Sequence, residues 1–187
     1  MKQAINTNLI NDNGVYIDGI YADKTQSTHV TQHSNILPYA LNIAPEEKNN
    51  QIVEEIKTRK MNVGMVCLRW LIESIGKANE GEHLIDLYTN SAWDGWAKIL
   101  TQGATVTWGA VGLVAIQKYI LGIQPLTPQH NKVQIKPLYF GDKLTFAKGT
   151  YITDKGDIYV DWVKNKNSYS LTVDIPDNMI ARVYIPK

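Results

Sequence analysis

The residues best suited to chemistry in this chain are indoles, imidazoles and carboxylates. Trp108 sits in the run Gly103-Ala104-Thr105-Val106-Thr107-Trp108-Gly109-Ala110. An indole there can stack on a flat apolar surface, as aromatic side chains do, or pack into a core. His33, within Gln32-His33-Ser34-Asn35, can hydrogen-bond a ligand or be held by its neighbours at a helix start. Asp18, Asp23, Asp94 and Glu73 are the carboxylates available for general acid and base work. Single acids on helices are usually solvated or paired, so none of them is assigned a catalytic role. Trp93 and Trp96, three apart around Asp94, read as helix packing.

Other chemistries find no footing. The histidines are scattered, and with the single Cys67 they give no metal-ligand spacing, so no metal is expected. No glycine-rich phosphate loop or nucleophile elbow is present, and no cofactor is implied. Lys and Arg number 19 against 18 Asp and Glu. That balance argues against nucleic acid or an anionic membrane as partner. Lys57, Arg59 and Lys60 fit a solvated helix end, where cations meet the negative pole of the dipole. Cys67, in Val66-Cys67-Leu68, reads as a small buried hydrophobe. No segment approaches the ~20 apolar residues of a membrane span. Residues 1–10 lack the apolar core of a signal peptide, and the compartment stays open.

The elements that must position these residues change character along the 187 residues. Residues 1–10 form a short amphipathic piece ended by Asn11-Asp12-Asn13-Gly14, and Val15-Tyr16-Ile17 leads into a loop or short extended segment. A helix is predicted from near His29 to Leu41, with Pro38 kinking it or lying in its first turn. Ala44-Pro45-Glu46-Glu47 starts another, which carries Ile52, Val53 and Ile56. Val63, Val66, Cys67, Trp70, Leu71, Ile75 and Ala78 predict one apolar stripe. Helical patterns follow over 82–89 and 92–100, and 110–121 is apolar nearly all round, as a buried central helix would be. Beyond Gly122 and Pro125 the period falls to two, in Val133/Ile135, Ile158/Val160/Trp162 and Tyr169/Leu171/Val173/Ile175. Short strands at this spacing predict an antiparallel sandwich. Tyr139, Phe140 and Tyr151 are candidates for a carbohydrate-binding face or ordinary strand-end aromatics.

This order of helices, linker and strands resembles the C-terminal region of bacterial α-L-rhamnosidases, family 78 of the glycoside hydrolases. The runs that carry the resemblance are Gln32-His33-Ser34-Asn35, the Gly103–Trp108 motif and Lys118-Tyr119-Ile120-Leu121-Gly122-Ile123-Gln124-Pro125. Val133-Gln134-Ile135-Lys136-Pro137, Ala147-Lys148-Gly149 and Val160-Asp161-Trp162 extend it along the tail. The resemblance implies a partial (α/α)6 toroid, about half its helices, over residues 1–124. A small antiparallel β-sandwich over 125–187 follows it. The implied activity is inverting hydrolysis of terminal α-L-rhamnosyl groups, with a rhamnose-containing glycan as partner. Inversion needs two carboxyl groups roughly 6.5–9.5 Å apart, one protonating the leaving oxygen and one activating water.

Two departures shape the functional expectation. The family's general acid lies in an acidic, Trp-containing segment that has no counterpart in these residues. Its general base is a Glu that follows the Gly-Ala-Thr-x-x-Trp motif, where this chain has Gly109. Gly109-Ala110 resembles the end of a pocket-lining His-x-Trp-Gly-Ala loop joined directly to Trp108, as an internal deletion would leave it. The expectation is therefore a rhamnosidase fragment inactive alone, with Trp108 and His33 as substrate-binding candidates. The alternative is a non-catalytic carbohydrate-binding or chain-association module. An incomplete toroid would also favour self-association, or union with a missing N-terminal half-barrel.

Overall fold

A computed structural model describes residues 1–92, 95–101 and 110–186. Among these residues seven α-helices precede two small sheets. The helices are α1 (Lys2–Leu9), α2 (Gln32–Ala40), α3 (Asn49–Thr58), α4 (Leu68–Lys77), α5 (Gly81–Thr89), α6 (Trp96–Thr101) and α7 (Val111–Ala115). The strands are β1 (Ile123–Pro125), β2 (Lys132–Ile135), β3 (Phe146–Thr153), β4 (Gly156–Lys164), β5 (Tyr169–Asp174) and β6 (Ile180–Val183). The chain divides into two compact units, Met1–Ala78 with Asp86–Gly109, and Asn79–Ile85 with Ala110–Lys187.

In the first unit α2 packs on α3 and α4. Ile36, Ile52, Ile56, Leu68, Leu71 and Ile75 lie almost wholly out of water, each such side chain worth about 1.5–3 kcal/mol of burial. The α4 stripe is rotated from the sequence expectation. Leu68, Leu71, Ile72 and Ile75 face inward, whereas Val66 is 63 % exposed and Trp70 half-buried. A 3-10 turn over Met65–Cys67 precedes the helix, and its three-residue period breaks the phase of the heptad-like pattern. Cys67 is half-buried rather than buried for the same reason. The basic residues end α3 as expected, where Lys57 pairs with Glu54 at 2.9 Å and Arg59 with Glu55.

In the second unit the sheets run β1-β2-β6 and β3-β4-β5. β1–β2, β3–β4 and β4–β5 are antiparallel, and β2–β6 is parallel. The alternation in β4 buries Ile158, Val160 and Trp162. Trp162 stacks on Phe140 (centroids 5.8 Å) and on Tyr169 (5.6 Å). Residues 110–121 are not the buried central helix that their composition suggests. α7 passes into a π-helical turn over Ile116–Ile120. Gly112, Ala115 and Tyr119 face inward, while Leu113 is 69 % and Val114 55 % exposed.

Candidate functional site

The four polar residues that open α2 are each committed to the fold. Thr31 caps the helix: its hydroxyl accepts the Ser34 N–H and the Ser34 hydroxyl accepts the Thr31 N–H, both at 3.3 Å. The spacing Thr31-x-x-Ser34 satisfies two donors of the helix start reciprocally. Gln32, 1 % exposed, donates from Nε2 to the carbonyls of Ile56 and Lys60, each at 2.7 Å, and so closes the end of α3. Lys60 itself is left-handed, with φ 51°. Asn35 is fully buried and pairs with both backbone groups of Tyr16.

His33, the substrate-binding candidate of this motif, accepts the Gly64 N–H on Nε2 at 3.2 Å. That bond occupies Nε2 and leaves Nδ1 as the second polar atom of the ring. The ring therefore links the start of α2 to the turn that precedes α4, and remains half-buried.

Asp18 is placed by the same helix end. Oδ1 accepts the Thr31 N–H at 3.0 Å and its hydroxyl at 2.8 Å, and Oδ2 meets His29 Nδ1. Burial pushes this carboxyl up, but the bonds from Thr31, His29 and Ser34 outweigh it and hold the group below the ordinary carboxylate range. Asp23 accepts from the Thr25 backbone and hydroxyl in an exposed turn, and those bonds lower it too. Both acids act as anchors of the 18–31 loop. Glu73 lies half-buried on α4. Asp94 and Trp93 lie outside the described residues, as does the whole Gly103–Gly109 segment with Trp108. Sequence reasoning overlooked His29, Thr31 and Gly64 as partners, although the capping spacing of Thr31 and Ser34 was there to be read.

In the second unit the Tyr119–Pro125 run is the packing hub. Trp162 Nε1 donates to the Ile120 carbonyl at 2.8 Å, and the Leu138 N–H to the Tyr119 carbonyl at 3.0 Å. Gly122 is left-handed (φ +79°), and a Cβ there would stand 2.2 Å from Pro137 N. Gly149 gives Leu121 its space in the same way, with a Cβ position 2.9 Å from the leucine methyl. The three aromatics of the proposed carbohydrate face do not share one: Phe140 is 2 % exposed, Tyr139 40 %, and the Tyr151 hydroxyl meets His130 Nε2 at 3.2 Å.

Residues 1–113 match the family model of the bacterial alpha-L-rhamnosidase 6 hairpin glycosidase domain, and residues 122–187 that of the bacterial alpha-L-rhamnosidase C-terminal domain. An alpha-L-rhamnosidase of Alteromonas sp. (strain LOR) is 23 % identical over 83 % of this chain and 20 % of its own length. The solved alpha-L-rhamnosidase from Dictyoglumus thermophilum superposes with TM-score 0.80 at 21 % identity, over 100 % of this chain and 23 % of that one. The Streptomyces avermitilis alpha-L-rhamnosidase complexed with L-rhamnose gives TM-score 0.74 at 19 % identity, over 99 % and 20 %. The chain thus spans about a fifth of the length of the curated relatives it matches. The structural likeness establishes the shared fold, a helical toroid segment followed by a β domain.

Proposed function

Because this chain belongs to the bacterial α-L-rhamnosidase family, we propose that its residues form part of a glycosidase that contacts a rhamnose-containing glycan but does not hydrolyse it unaided. The observation that carries this reading is the junction Trp108-Gly109, where the resemblance calls for the carboxylate that activates water. Inverting hydrolysis fails without both carboxyl groups, because either the leaving oxygen stays unprotonated or the water keeps its proton. Asp18 and Asp23 are poor replacements for the general acid. Their oxygens are engaged by Thr31, His29 and Thr25, and both are held in the ionised state. A general acid needs the opposite, a carboxyl kept protonated near neutral pH.

Glycan contact falls to Trp108 and to Nδ1 of His33. The L-rhamnose bound by the Streptomyces avermitilis relative supports this class of ligand. The test is release of aryl alcohol from an aryl α-L-rhamnoside by these 187 residues, alongside a titration with L-rhamnose. Binding without turnover is the expected pair of results, and turnover would overturn the proposal.

A second reading, association with another chain or with a second copy, is favoured by one observation. Leu113 and Val114 on α7, with Ile116 beyond them, present an apolar ridge to solvent. Such ridges on small domains are partner-seeking.

A further inference from the structure

We draw no further inference here: the strongest candidate, the surface patch that the ordered loop 19–28 presents through exposed Ile20 and Tyr21 beyond the Asp18–His29 contact, is unpartnered and nothing in the structure shows what covers it.

Discussion

The Asn35 side chain treats Tyr16 as a strand would: Oδ1 accepts the Tyr16 N–H at 2.9 Å and Nδ2 donates to the Tyr16 carbonyl at 3.0 Å. A helix thereby satisfies the edge of this extended segment that is turned away from its antiparallel bridge to Ile10. The Tyr16 hydroxyl, bonded to Asn6 at 2.6 Å, is buried enough that its pKa is pushed up to about 12.

Replacing Asn35 by Ala strands the Tyr16 N–H away from water, while the Tyr16 carbonyl keeps the Ser34 hydroxyl at 3.1 Å. That unsatisfied group costs about 1–3 kcal/mol, so Asn35→Ala should lose about 1–3 kcal/mol in urea unfolding. Asn35→Asp should do no better, since a carboxylate oxygen would then face the Tyr16 carbonyl. A change below about 0.5 kcal/mol would show that this pairing does not hold the segment.

Gly122 and Gly19 form a matched pair for the backbone argument. At Gly122 a methyl meets Pro137 N at 2.2 Å in a left-handed conformation; at Gly19 it meets nothing within 4 Å. Gly122→Ala should destabilise by more than about 2 kcal/mol, and Gly19→Ala should leave the melting temperature near that of the parent. Equal melting temperatures would refute the close approach of the Tyr119–Pro125 run to Pro137.

Asp18 gives a pH signature with a defined sign. Its folded pKa lies below the ordinary value of about 3.9, so the stability it contributes is complete above that value. It is lost as pH falls through the lowered folded pKa. The parent should therefore be more stable than Asp18→Asn at about pH 6, with the gap closing toward about pH 2. A gap independent of pH would mean that the Thr31 and His29 contacts do not depend on charge.

The α7 ridge predicts concentration-dependent association, read by sedimentation or by binding of a hydrophobic dye. Changing Leu113 and Val114 together to Ser should reduce both signals without loss of helix, since both side chains are exposed. A dye-silent monomer at all concentrations would remove the association reading.

How much of this was legible in the residues varies with the element. β4 was plain, because Ile158, Val160 and Trp162 alternate with polar neighbours and only one face is buried. β3 escaped notice because its outward side carries Phe146 and Ile152 while its inward side carries Ala147 and Gly149. The alternation of polarity is reversed there by the need to admit Leu121. α4 was legible as a helix but not in phase, since the 3-10 turn at Met65–Cys67 is invisible to a count of threes and fours. In the candidate site, His33 and Asp18 were visible as residue types. Gly64 lies in the turn before α4, and His29 and Thr31 at the far end of the loop that Asp18 opens, so only the fold joins these partners.

The most direct test of the central claim is aryl alcohol release from an aryl α-L-rhamnoside by the purified chain, followed from about pH 4 to about pH 8. With Gly109 where the family's base would stand, release should not exceed that of buffer at any pH. Reproducible release that disappears in Asp18→Asn, Asp94→Asn or Glu73→Gln would mean that other carboxylates supply the acid and base, and would contradict the account.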